Sequence, residues 1–214
     1  MLVYWANMSF LHLGKTVLAS LLVEECRKLP SVNVYFFYNK YGDPKRNNLL
    51  AVLRSILKQM LRTDSALTAY VCEVASNSGR TTLDNEELAR EIFDVAVSAF
   101  NDPQYLILDG LDECPMTEKA LITSFFRSMV AAANDRKPGA LRCCFFSQDD
   151  NDLGGLLKGI PILTITSSHN KDDILNYCEA EGKSIQDTFE LGDDETRVMV
   201  EDVSIAADGN LPVR

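Results

Sequence analysis

Three carboxylates stand close enough in sequence to act together: Asp109, Asp112 and Glu113, in the run Tyr105–Cys114 (YLILDGLDEC). Tyr105–Leu108 reads as a short buried strand, and Asp109 follows it at once. The C-terminal ends of parallel strands are where α/β sheets bind ligands. A carboxylate there can hold Mg²⁺, directly or through water. Asp112 or Glu113 can polarise an attacking water. Gly110 permits a sharp turn and leaves room beside a phosphate. The same residues also fit a strand followed by an acidic, solvated turn, and the run alone does not decide between the two.

The second chemical grouping is Gly14-Lys15-Thr16, placed between a strand and a helix. It supplies the last three positions of the phosphate-binding pattern G-x-x-x-x-G-K-[ST]. Backbone N–H groups and the helix dipole at such a junction favour an anion. Lys15 would reach the β- and γ-phosphates, and the Thr16 hydroxyl would bind Mg²⁺ opposite Asp109. The first glycine position is held by Ser9, and Ser9–Leu13 (SFLHL) is bulky where a phosphate-wrapping loop uses small residues. Gln148, after the fourth strand, can sense a γ-phosphate or position water, and it can equally cap a buried strand. His12 and His169 read as loop and helix-start residues.

The elements that must position these groups follow from periodicity. Apolar runs predict strands at Leu2–Trp5, Val32–Tyr38, Tyr105–Leu108, Leu141–Phe146 and Ile162–Ile165. Helical spacing predicts a helix from Gly14 to about Leu29, stopped by Pro30, and another over Lys45–Arg62. Further helices are expected at Ser65–Ala75, from a cap at Asp84 to Phe100, from Pro115 to Ala133, at Lys171–Glu181 and at Asp193–Ala207. Asn151–Ile160 reads as a glycine-rich connector. Strands alternating with helices argue an α/β fold, a parallel sheet covered on both faces. Residues 39–101 carry several helices where one crossover would suffice, a helical insertion between strands two and three.

The net charge of −10 disfavours duplex nucleic acid and anionic membranes as partners. A nucleotide needs only a local pocket of N–H groups, a lysine and a metal. The six cysteines contain no C-x-x-C pair, which argues against zinc and for a reduced, cytoplasmic chain. Met1–Leu13 is apolar but too short to span a bilayer. A small-molecule kinase would need an arginine-rich lid, and the arginines here are scattered.

Taken together, GKT at a helix start, VNVYFFY, LILDGLDEC, LRCCFFSQ and HNKDDI resemble a NACHT-type signalling NTPase module, and more closely the nephrocystin-3-like N-terminal domain common in large fungal multidomain proteins. The resemblance covers nearly the whole chain, read as one domain over 1–214: 1–38 with the first two strands and the phosphate-loop helix, 39–101 the insertion, 102–166 the acidic and later strands, and 167–214 the C-terminal helices. It implies a STAND-class P-loop NTPase with a five-stranded parallel sheet of order 5-1-4-3-2. It implies ATP or GTP with Mg²⁺, slow switching rather than fast turnover, and nucleotide-dependent association with other protein domains or chains. Carried over by position, Ser9, Gly14, Lys15, Thr16 and Gln148 contact nucleotide. Thr16 and Asp109 hold the metal, and Asp112 and Glu113 supply catalysis. A winged-helix and sensor or repeat region would be expected after Arg214. The competing reading is a nucleotide-free protein-interaction scaffold with a decayed phosphate loop, supported by the bulk of Ser9–Leu13.

Overall fold

The acidic strand sits inside the sheet, with a neighbour on each side. The structure is a computed structural model and describes residues 3–8, 15–40, 42–78, 82–148, 151–165 and 167–206. Among the described residues, five strands form one parallel sheet: β1 (Val3–Met8), β2 (Asn33–Tyr38), β3 (Gln104–Asp109), β4 (Leu141–Ser147) and β5 (Ile162–Ile165). Their spatial order is β2-β3-β4-β1-β5. Register brings Tyr38 opposite Asp109, Asp109 opposite Phe146, and Ser147 opposite Asn7. The C-terminal ends of β2, β3, β4 and β1 therefore share one edge, and helix α1 (Lys15–Arg27) begins in the segment that follows β1.

Side-chain alternation along the strands separates two apolar layers. Tyr35, Phe37, Leu106, Leu108, Cys143 and Phe145 face the larger core. That core is closed by α2 (Leu49–Leu61), α4 (Glu86–Ala99) and α5 (Met116–Arg136). Phe93 of α4 meets Phe126 of α5 edge-to-face at 5.8 Å, and Phe126 meets Phe145 of β4 at 6.5 Å. Edge-to-face pairs of this kind add to the stabilisation from burial. The opposite layer is small: Ala19 and Val23 of α1 against Ile107 and Phe146.

Local chemistry sets the helix starts. Asn48 caps α2 by accepting from Ala51 N at 2.9 Å. Asn85, not the expected Asp84, caps α4 by accepting from Leu88 N at 2.8 Å. Asp64 Oδ1 accepts from Ala66 and Leu67 N ahead of α3 (Ser65–Ser78). Each cap satisfies donors that the first helical turn leaves free. Three helices, α2 to α4, thus lie between β2 and β3 among the described residues, and α2 and α4 share the main core.

The expected connector after β4 contains a short helix, α6 (Asn151–Leu156). Its Leu153 and the following Leu157 are fully buried, and that burial outweighs the poor helical propensity of Gly154 and Gly155. Helix α7 runs over Ser167–Phe189, well past the expected end at Glu181, and α8 covers Asp193–Ala206. Gly182 sits inside α7 at a close approach: a Cβ there would come 2.5 Å from Val200 Cγ2 of α8. Cys178 and Val200 form a separate small cluster between these two helices.

Candidate functional site

Asp109 ends β3 with only 1% of its surface exposed. The Thr16 hydroxyl, one residue into α1, donates to Asp109 Oδ2 at 2.6 Å. Beside it, Lys15 Nζ donates to Asp112 Oδ2 at 2.5 Å. The strand order makes this meeting possible, since it lays the start of α1 over the end of β3. Burial pushes the Asp109 carboxyl above the usual carboxylate range. The Thr16 hydrogen bond and the Lys15 charge pull in the other direction, and Asp112 adds to the upward push.

Two oxygens in this group are left over. Asp109 Oδ1 and Asp112 Oδ1 are buried and accept no hydrogen bond. Buried polar atoms normally have partners, so orphaned carboxylate oxygens mark a place for a cation or a donor. A hydroxyl and a carboxylate oxygen are hard ligands of the kind Mg²⁺ takes alongside phosphate and water. Among the described residues no cluster of three or more His, Cys, Asp or Glu gathers as a metal site. Mg²⁺ bound through one carboxylate and a substrate phosphate needs no such cluster. The residues present fit a Mg²⁺–nucleotide.

The turn after Asp109 is held by a residue that sequence reasoning passed over. Asn39, just beyond β2, is fully buried. Its backbone N–H and its Nδ2 both donate to the Asp109 carbonyl, at 2.9 and 3.0 Å. Gly110 has φ +75°, and a Cβ there would lie 2.9 Å from Asn39 O. Glycine is required both by the left-handed backbone and by this contact. Gly110 N donates to Phe146 O at 3.0 Å, tying the turn to β4. A 3-10 turn over Leu111–Glu113 follows and directs Asp112 back towards Lys15. The signal for Asn39 was a single polar residue directly after an aromatic strand, indistinguishable in sequence from the start of a loop.

Glu113 and Gln148 are half-buried, Glu113 in this turn and Gln148 directly after β4. Ser147, the last residue of β4, is fully buried. Glu118 of α5, also unremarked in the sequence, accepts from Leu49 N at 2.9 Å and so anchors the start of α2 near this edge. Ser9 and Gly14 lie outside the described residues, as do the other bulky positions between them.

An α/β fold with a Lys-Thr helix start facing an acidic strand end is the arrangement of a P-loop NTPase-type domain. The chain is a NACHT-like P-loop NTPase module. The family model described as Nephrocystin 3, N-terminal matches residues 12–148, more than half of the chain, and the chain belongs to that family. Vegetative incompatibility protein HET-E-1 of Podospora anserina is 29% identical over 106 residues, which cover 47% of this chain and 8% of that protein. Among solved structures, Drosophila ORC bound to DNA superposes with a TM-score of 0.52 at 13% identity, over 92% of this chain and 46% of that one. The ADP form of the Aeropyrum pernix ORC2 protein gives 0.49 at 13% identity, over 94% of this chain and 62% of that one. At these identities the likeness concerns the fold alone. No helix among the described residues is long and apolar enough to cross a membrane.

Proposed function

We propose that residues 1–214 act as one nucleotide-binding switch domain of a cytoplasmic STAND/NACHT-type signalling protein, built on a P-loop NTPase sheet of order 5-1-4-3-2. It takes ATP or GTP with Mg²⁺ and hydrolyses slowly at most. The observation that carries this reading is the joint one at Lys15 and Thr16: both meet the acidic strand end, and two carboxylate oxygens there remain buried without partners. When bound, Mg²⁺ supplies charge neutralisation between the phosphates.

Each residue then has a task. Lys15 holds the phosphate charge, while Ser9 and Gly14 belong to the loop around it. Thr16 and Asp109 orient the metal through the hydrogen bond they already share. Glu113 orients a water, while Asp112 is engaged by Lys15. Gln148 stands after β4 as a polar contact for the terminal phosphate. The partners are the nucleotide and other protein domains or chains. A net charge of −10 speaks against nucleic acid and against anionic membranes.

The second reading, a nucleotide-free scaffold, is favoured by the bulk of Ser9–Leu13 and by the Lys15–Asp112 pair, which occupies the lysine a phosphate needs. Equilibrium binding of a fluorescent ATP or GTP analogue, with Mg²⁺ and then with excess EDTA, separates the two. Saturable binding that weakens on Mg²⁺ removal supports the switch. A flat titration with both analogues supports the scaffold.

A further inference from the structure

We propose that the cavity on the α1 side of the sheet binds a small aliphatic carboxylate, held at its head group by Arg142. The two faces of the sheet are covered unequally, with several helices over one and α1 over the other. Beside α1 lies a cavity of about 370 Å³, walled by Leu18, Leu22, Ile107, Phe146 and Leu163 among others. Among the described residues that line it, Arg142 is the one charged side chain.

Arg142 is held in a defined pose. Its guanidinium lies over the Tyr105 ring, 5.0 Å from the centroid, and its Nη1 donates to the Tyr105 hydroxyl. Its Nε is buried and has no acceptor. A buried, unsatisfied donor on a charged group is costly, so such an atom marks where an acceptor is wanted. With Nη1 occupied, the Nε edge remains, and that edge of a guanidinium pairs with a carboxylate through two parallel hydrogen bonds.

The surroundings select the rest of the ligand. Among the described residues the walls are apolar and offer no second cation, so a polyphosphate or a dianion would be left undercompensated. The thiols that also line the cavity do not compete for Arg142, because burial pushes Cys144 up to about 12 and raises Cys26 as well. One carboxylate on an aliphatic body satisfies both the guanidinium edge and the apolar wall. This site is separate from the one at Lys15 and Asp109, and it does not depend on nucleotide binding.

Calorimetric titration of the full chain with decanoate, below its micelle concentration, and with 1-decanol tests the assignment. Decanoate should bind at one site, about tenfold or more tighter than the alcohol. Arg142→Met should erase that preference while the alcohol still binds. Leu22→Trp, which fills the cavity, should abolish binding of both, with cooperative melting retained in each variant. Should Arg142→Met not fold, the decanoate-over-decanol ratio and Leu22→Trp decide the matter. Equal affinities for acid and alcohol in the unsubstituted chain would overturn the proposal. So would decanoate binding that Leu22→Trp leaves intact, or a self-associated chain in which decanoate neither binds nor dissociates the copies.

Discussion

Lys15 Nζ and Asp112 Oδ2 lie 2.5 Å apart across 97 residues of chain, with 7% and 13% of their side chains exposed. The pair joins the start of α1 to the turn after β3 and holds in place the lysine that a phosphate would use. In the proposed function, phosphate binding would have to compete with this internal ion pair, which suits a switch better than a fast enzyme.

Removing one partner leaves the other charge buried. Lys15→Ala should destabilise the chain by roughly 3–5 kcal/mol, the usual cost of breaking a buried pair. Lys15→Ala/Asp112→Ala should recover most of that loss and still bind no nucleotide. Urea unfolding of the single and double variants checks the stability, and analogue binding checks the site.

Asp112→Asn frees Lys15 without emptying the position. Nucleotide should bind more tightly, by about tenfold, or roughly 1.4 kcal/mol. Glu113→Gln should leave affinity unchanged and lower whatever hydrolysis is present. Affinity titrations and single-turnover phosphate release distinguish the two carboxylates.

Asp109 carries a pH signature. Its carboxyl titrates above the ordinary carboxylate range because it is buried. Between the ordinary value and the raised one, the native state holds a proton that the unfolded chain has released. Stability of the nucleotide-free chain therefore falls as pH rises through that window, and the penalty is constant above it. Asp109→Asn should remove this slope, stabilise the nucleotide-free chain at neutral pH, and abolish Mg²⁺-dependent binding. Urea midpoints from pH 4 to 8 read the effect.

The Asn39–Gly110 contact makes a structural prediction. Gly110→Ala must hold a left-handed backbone, which costs about 1–2 kcal/mol, before its Cβ meets Asn39 O. Asn39→Ala loses one buried hydrogen bond to the Asp109 carbonyl, also about 1–2 kcal/mol. Each should lower the melting temperature by several degrees and weaken Mg²⁺-dependent nucleotide binding, because both hold the backbone that presents Asp109.

Much of the fold was legible because the strands are short apolar runs and the long helices have periodic apolar faces. Helix α6 was not, since two glycines conceal a segment in which Leu153 and the following Leu157 are fully buried. The α4 cap fell to Asn85 rather than Asp84, adjacent residues of similar capping chemistry that only the backbone separates. Helix α7 extends through Gly182, where the missing Cβ makes room for Val200. Lys15, Thr16 and Asp109 could be named from motif spacing. The engagement of Asp112 with Lys15, and the part played by Asn39, could not. Both arise where chain ends distant in sequence converge at one sheet edge, and local pattern carries no trace of that meeting.

Thermal unfolding of the purified chain with and without Mg²⁺–ATP and Mg²⁺–GTP shows whether the chain binds nucleotide. A ligand at a hundred times its Kd stabilises by about 2.7 kcal/mol, a readily measured rise in melting temperature. The predicted result is a dose-dependent rise with at least one nucleotide, lost on chelation and absent in the Lys15→Ala/Asp112→Ala variant. A cooperative transition that neither nucleotide moves would rule out the nucleotide switch and favour the scaffold.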